Sequence, residues 1–317
     1  MSTDRRVVAL TGGVGGAKLA HGLYRRLPPG ALACIVNTGD DFRHLDLHVS
    51  PDIDTLIYTL GGVENPATGW GRRDETWTFM AVLEQLGGPD WFRLGDGDLA
   101  FHVERTRRLT AGERLTEVTD HLRRGLGVSA AVLPMADAPV RTIVHTVDAG
   151  TLTFQEYFVR HRAQPRVRAL EYEGADHAEP PPEVVAALAD PGLAAVVLCP
   201  SNPLLSVAPL LAVAGMRALL AACRAPVVAV SPLIGGAAVK GPTAKVMDEL
   251  GIARTPEAIA EGYRGVIDAL VIDPSDAASR DRCGLPVLVT PTLMDSTARR
   301  EALADEVLDF AATLGRG

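Results

Sequence analysis

The sequence predicts an α/β protein, a doubly wound, mostly parallel Rossmann-like sheet with a helical insertion and a small antiparallel extension. Three observations lead there. Short apolar runs of strand length alternate with amphipathic stretches of helical period. The first run, "RVVALT", passes through a glycine turn into the amphipathic stretch "GGVGGAKLAHGL". Later runs end in polar or glycine-rich text, "NTGDD", "CPSNP" and "SPLIGG", as ligand-bearing strand tips of such sheets do.

In order along the chain, strands are expected over 6–11, 33–38, 193–200, 226–232, 268–274 and 286–291. Helices are expected in "SVAPLLAVAGMRALLAAC" and "STARREALADEVLDFAATL", where apolar residues recur at helical spacing. Two segments break the alternation. Residues 63–134 hold the helix-like stretches "RRDETWTFMAVLEQLGG", "DLAFHVERTRRL" and "LTEVTDHLRRGLG", and read as a helical insertion. Residues 139–173 read as antiparallel strands, "VRTIVHTVD", "LTFQEYFVRHR" and "VRALEYEG", with a turn at "DAGT". The prolines of "ADHAEPPPE" precede a helix. The core is therefore expected from 1–62 and 135–317, with 63–134 inserted.

A hydrophobic share of 47% with 22% charged residues describes a packed globular chain, and 317 residues allow one large domain or two ordinary ones. The net charge of -8 argues against a general nucleic-acid binder, which needs clustered basic residues. Cys34, Cys199, Cys223 and Cys283 are far apart, with no C-x-x-C pair. They read as reduced, buried thiols of a cytoplasmic protein. No apolar stretch approaches the length of a membrane span.

The opening loop suits phosphate without naming a ligand. A dinucleotide fingerprint beginning at Gly13 and Gly15 would require glycine at position 18, which is lysine, and the ribose-binding acid is replaced by Asn37. The ATP/GTP loop fails too, because no hydroxyl follows Lys18. Gly12, Gly13, Gly15 and Gly16 could admit a phosphate, or tighten strand–helix packing. Only three of 31 basic residues are lysines: Lys18 beside that loop, and Lys240 and Lys245 in "GGAAVKGPTAK". A compact ammonium suits phosphate oxygens.

Asp40, Asp41, Asp52 and Asp54 fall within fifteen positions after the second strand. Such oxygen ligands suit magnesium, and Asp40, in a glycine-containing turn at the strand tip, is the metal candidate. Ser50 or Asp52 could instead cap the helix that opens at "SPDIDT". His48 in the same loop reads equally as structural or catalytic. Ser201, Asn202 and Ser206 can cap the following helix or reach a base or phosphate, and Gly235 and Gly236 permit close backbone approach at the next tip. A phosphate-bearing substrate held with a divalent cation needs alignment and charge neutralisation more than a covalent nucleophile.

Eight motifs in order, "TGGVGGAKLAHGL", "VNTGDD", "HVSPDIDTLIYTLGG", "GWGRRDETW", "LGDGDLAFH", "PMADAPVRT", "SNPLLSV" and "SPLIGGAAVKGP", resemble those of the CofD-like transferases. These are the 2-phospho-L-lactate transferases and their phosphoenolpyruvate-using bacterial relatives. The resemblance implies a Mg2+-dependent homodimer that joins a phospho-three-carbon acid, delivered as its guanosine diphosphate conjugate, to the deazaflavin alcohol Fo. The product is a coenzyme F-420 precursor, and GMP leaves.

It also implies roles. Asp40 would hold the magnesium with help from Asp41, and Asp54 would contact Fo or orient its hydroxyl. The glycine loop with Ser201, Asn202, Pro203 and Ser206 would cradle the nucleotide, and Lys18 and Lys240 would offset charge on GMP. Asn37, Thr38, Asp52, Asp74, Glu75, Thr76, Trp77, Asp96, Asp98, Gly235 and Gly236 complete the binding set. The insertion would cover the deazaflavin, with Trp70 and Trp77 either stacking on its ring or packing a helical core. One departure stands out: Gly97 occupies the place where the resembling motif, L-G-D-R-D, has arginine. Phospholactate, phosphoenolpyruvate and 3-phosphoglycerate all remain open as the acid. A nucleotide-sugar-binding regulator of a related family is the alternative, and a nicotinamide oxidoreductase is disfavoured by the glycine spacing.

Overall fold

The computed structural model describes residues 5–239 and 241–315. Along the chain come β1 (Arg6–Thr11), α1 (Gly13–Arg26), β2 (Leu32–Val36), a hairpin of β3 (Phe42–His44) and β4 (Leu47–Val49), and α2 (Pro51–Leu60). Then follow α3 (Thr78–Gln85), α4 (Asp96–Thr110), α5 (Leu115–Gly125), β5 (Ala131–Pro134), β6 (Arg141–Thr146), β7 (Thr151–Thr153) and β8 (Val167–Glu173). Next are α6 (Pro182–Leu188), β9 (Leu193–Leu198), α7 (Ala208–Ala212), α8 (Met216–Ala222), β10 (Val227–Val230), β11 (Leu233–Ile234) and β12 (Ala237–Ala238). The chain closes with α9 (Thr243–Glu249), α10 (Pro256–Gly262), β13 (Ala269–Ile272), β14 (Val287–Val289) and α11 (Thr297–Thr313).

The seven-stranded sheet has the order β14-β13-β10-β9-β1-β2-β5, and its pairings are parallel. Its strands are continuous apolar runs because both faces are covered. Val8, Leu10, Ile35, Val196 and Leu198 pack on one side, and Val7, Ala9, Val36, Val197 and Cys199 on the other, the alternation that strand geometry dictates. On the second side α1 buries Ala17, Leu19, Ala20 and Leu23, and a Cβ at Gly22 would stand 2.1 Å from the Arg300 carbonyl of α11. All four cysteines are buried and unbridged. Strand order reverses between β1 and β9, so the loops after β1, β2 and β9 face one crevice at the sheet's carboxyl edge.

Several expectations are corrected. Residues 131–134, read as the end of the helical insertion, form β5, which pairs with β2. Of "LTFQEYFVRHR" only Leu152 and Thr153 belong to a strand, β7, which pairs with β6, and the chain then turns into a π-helix, Glu156–Arg160. The segment expected as one helix, "SVAPLLAVAGMRALLAAC", breaks: a π-helix, Pro203–Val207, runs into α7, and Gly215 (φ 82°) turns the chain by 86° into α8. Among the described residues no single helix is long and apolar enough to cross a membrane, and Leu205, Leu210, Leu211, Met216 and Leu220 of this bent pair are buried.

Candidate functional site

Three strand-tip segments meet at the crevice. β1 delivers Gly12 and Gly13, β2 delivers Asn37 to Asp41, and β9 delivers Ser201 and Asn202. Ser201 Oγ accepts from the Gly12 N–H at 3.1 Å. A Cβ at Gly15 would lie 2.5 Å from the Pro200 carbonyl, and one at Gly16 would lie 2.4 Å from Ser201 Oγ. Gly13 sits at φ +64°. Packing is therefore the first use of this glycine run, since the β1 and β9 tips touch through it. Lys18 lies one turn further into α1, half-buried.

Asp52 and Asp54 stand two residues apart on α2, a helix buried from Asp52 to Leu60, and residues two apart on a helix do not face the same way. The acidic run therefore divides into two clusters. In the first, Asp52 Oδ1 accepts from the Gly13 N–H at 2.8 Å, and Asn37 Nδ2 donates to Asp52 Oδ2 (2.9 Å) and Asp40 Oδ1 (3.1 Å). Asp41 Oδ2 accepts from Ser50 Oγ at 2.7 Å and lies 3.1 Å from His48 Nε2. Neither Ser50 nor Asp52 caps its own helix, the role sequence suggested: Ser50 serves Asp41, and Asp52 caps α1. From outside, Gln155 Nε2 donates to the Asp40 carbonyl at 3.3 Å and the Thr142 N–H to the Gly39 carbonyl at 2.7 Å, fixing the β2 loop.

Burial, then the charge of Asp52, pushes the Asp40 carboxyl well above the usual range despite its bond from Asn37. Burial, with a contribution from Asp41, lifts Asp52 to about 6. Asp41 Oδ1 and Thr38 Oγ1 are buried without a hydrogen-bond partner. Asp40 and Asp41 could offer oxygens to a divalent cation, whereas the group of His and Asp ligand atoms that lie within 4.8 Å of one another among the described residues is Asp54, Asp98 and His102.

The second cluster is an ion-pair network. Arg105, fully buried on α4, grips both Asp54 oxygens, with NH1 at 3.1 Å from Oδ2 and NH2 on Oδ1. His102 lies between Asp54 (3.7 Å) and Asp98 (3.3 Å), and Tyr58 donates to Asp98 at 2.6 Å. Burial alone would raise Asp98, but His102 and the Tyr58 hydroxyl hold it below the ordinary carboxylate range. Asp98, which the resemblance placed in the binding set, shares one face of α4 with His102 and Arg105 by their i, i+4, i+7 spacing, a sequence signal for the two residues that the motifs did not single out.

In the insertion, Glu75 and Asp96 cap each other's helices. Glu75 accepts from the N–H groups of Gly97 (2.7 Å) and Asp98 (2.8 Å) at the start of α4. Asp96 accepts from those of Thr78 (3.1 Å) and Phe79 (3.0 Å) at the start of α3, and from Thr76 Oγ1 at 2.5 Å. Asp74 is exposed beside them. Trp70 and Trp77 are 57% and 41% exposed, which overturns the helical-core alternative, and Arg93 covers the Trp77 ring at 4.8 Å.

Other predicted residues find structural partners. Asn202 caps the π-helix, accepting from Leu204 and Leu205 and donating to Thr243 Oγ1 at 2.9 Å. Pro203 opens that π-helix and Ser206, buried, lies near Gly12 and Gly13. Gly235 and Gly236 form the β11–β12 turn, facing Ser275 and Arg254 rather than the carboxylates. Lys240 falls outside the described residues.

The family model described as 2-phospho-L-lactate transferase CofD matches residues 7–288. The chain belongs to the CofD family. This CofD-family chain is 40% identical over 321 residues to a phosphoenolpyruvate transferase of Kitasatospora aureofaciens, covering 98% of it and 99% of the relative. A 2-phospho-L-lactate transferase of Methanopyrus kandleri is also 40% identical, with 98% of each chain covered. The CofD-family fold is shared by a member of the UPF0052 family from Bacillus halodurans at 15% identity, with a TM-score of 0.63 over 97% of this chain and 99% of that one. The family is one of transferases.

Proposed function

We propose that this CofD-family chain moves a phospho-three-carbon-acid group from its guanosine diphosphate conjugate to the hydroxyl of the deazaflavin Fo. The hydroxyl oxygen bonds to the phosphorus next to the acid, the bridging P–O bond breaks, GMP leaves, and the hydroxyl proton passes to solvent. One observation carries this reading: Asp40 and Asp52 share the Asn37 amide, with Asp41 next in sequence to Asp40, at the switch point of the sheet in a chain similar along nearly its whole length to transferases of this class.

Asp40 and Asp41 would hold Mg2+, with Thr38 beside them. When bound, the ion supplies neutralisation of the diphosphate charge. Asn37 orients Asp40 and Asp52 through one amide, and Asp52 ties that pair to the α1 entry. Asp54 acts through Arg105 as part of the wall under α2 rather than on a substrate atom, because both its oxygens are occupied. The exposed Trp70 and Trp77 faces support the insertion as the side that receives the flat acceptor. A cytoplasmic setting is supported by the four unbridged, buried cysteines.

The test incubates the protein with Fo, Mg2+ and the guanylyl conjugates of phosphoenolpyruvate, phospholactate and 3-phosphoglycerate, with mass detection. A conjugate of Fo and stoichiometric GMP are expected from at least one donor. Absence of conjugate with all three, alongside tight binding of a nucleotide sugar, would sink the reading.

A further inference from the structure

The β2 tip that carries Asp40 and Asp41 is held from a segment 115 positions away. Gln155, buried, donates through Nε2 to the Asp40 carbonyl at 3.3 Å. A bond to the main chain fixes where the Asp40 side chain starts without occupying a carboxyl oxygen. Gln155 itself stands at the entrance to the π-helix Glu156–Arg160. Such helices are rare and gather at functional sites. This one is closed by the His161 N–H on the Glu156 carbonyl and the Ala163 N–H on the Tyr157 carbonyl, both at 2.8 Å. The chain leaves it through Arg162 (φ 50°) and Ala163 (φ 52°), a left-handed pair that costs energy for residues with a Cβ. A segment of that kind keeps its shape only where its neighbours impose it.

Lys245 of α9 does most of this. Its ammonium donates to Tyr157 Oη (3.3 Å), the Pro165 carbonyl (2.8 Å) and Glu249 Oε2 (2.9 Å). An ammonium has three protons, and these three acceptors match them, so Lys245 serves the fold of this segment rather than a phosphate. Glu249 in turn accepts from the Val167 N–H at 2.9 Å. One turn of α9 therefore grips the chain on both sides of the left-handed pair. Two ring contacts add to it: Phe158 stacks on Phe154 at 5.4 Å and 10°, and Arg160 lies over the Trp91 ring of the insertion at 6.0 Å. Gln155 thus reaches Asp40 from a base that α9 holds in place.

We propose that Gln155 is a positioning residue of the carboxylate site, setting the β2 tip through the Asp40 carbonyl, and that Lys245 maintains the π-helix register that delivers its amide. Both act through other residues, and the proposal rests on the reading of Asp40 as a ligand for the divalent ion. Titration of the full chain with Mn2+ alone, followed by the paramagnetic resonance of the free ion, tests it, and Asp40→Ala identifies the site by losing the binding. Gln155→Met keeps the length of the side chain and loses the donor. Its Mn2+ affinity and kcat should each fall about fivefold, the range of one neutral hydrogen bond. The KM for Fo and the hydrogen exchange of the His161 and Ala163 amides should stay as in the wild type. Lys245→Met should speed the exchange of both amides and weaken Mn2+ binding by a similar factor. Unchanged Mn2+ affinity in Gln155→Met overturns the proposal, as does a wild type that binds no Mn2+ at the Asp40 site. Lys245→Met with either the exchange or the Mn2+ affinity of the wild type overturns the part given to Lys245. A wild type whose Mn2+ binding depends on Gln155 but which transfers nothing to Fo overturns the transferase reading instead.

Discussion

Asp52, in the first turn of α2, accepts a hydrogen bond from the N–H of Gly13 at 2.8 Å and thereby caps α1 rather than its own helix. One carboxylate joins the entry of the glycine loop to the cluster around Asn37. Its charge and its capping oxygen can be separated. Asp52→Asn keeps an acceptor for Gly13 but turns an NH2 towards the Asn37 donor, so turnover should fall while the cap is retained. Asp52→Ala loses the cap as well and should cost about 1 kcal/mol more. Urea denaturation with parallel turnover assays decides this, and equal stability of the two variants would refute the capping role.

Arg105 and Asp54 pair inside the protein, at 0% and 5% side-chain exposure. Removing one partner of such a pair strands the other charge, which costs about 3–5 kcal/mol, whereas apolar replacement of both is often neutral. Arg105→Ala should therefore be severely destabilised. The double variant Arg105→Met with Asp54→Leu should recover most of that loss in urea denaturation. Recovered stability without recovered turnover would show that Asp54 contributes to catalysis beyond holding α2 to α4.

The sheet was legible in the sequence because six of its strands are apolar runs buried on both faces, and those runs were found within a few residues. β5 escaped because four residues ending in Pro134 are too short to stand out after a helix. In the site, Asp40, Asp41 and Asp52 were visible as neighbours in sequence. The partner of Asp54, 51 residues away, was not. Glu75 and Asp96 looked like ligand groups for the same reason: each caps a helix about twenty positions away, and such exchange has no local pattern.

Gly97 stands beside an arginine after all. A Cβ there would lie 3.0 Å from Arg72 Nε, and the Arg72 guanidinium rests over the rings of Tyr58 (5.4 Å) and Phe101 (5.8 Å). A guanidinium therefore stands next to position 97 although the residue there is glycine. Arg72→Ala should lower kcat/KM by about tenfold, the range of one charge-assisted hydrogen bond. Adding Gly97→Arg to that variant should restore activity, whereas Gly97→Arg alone should destabilise, because two guanidinium groups would compete for Glu75. No rescue by the second substitution would separate Arg72 from the role of the missing arginine.

His21 gives the protein an acid-sensitive seam between α1 and α11. Burial, then the charges of Arg300 and Arg25 against a weaker pull from Glu301, lowers its pKa from 6.5 to about 4. Arg300 NH1 lies 3.4 Å from His21 Nδ1, and Glu64 lies 3.8 Å from the same guanidinium. The imidazole is therefore neutral in the folded chain, where the unfolded chain would take up a proton below pH 6.5. Wherever the unfolded state binds more protons, stability rises with pH. His21 consequently costs nothing above about pH 7, and its penalty grows as pH falls from 6.5 towards 4 and then levels off. His21→Gln removes the titration. Its urea midpoint relative to wild type should shift in its favour between pH 7.5 and pH 5, and a difference that stays constant across that window would show that His21 protonates as readily folded as unfolded.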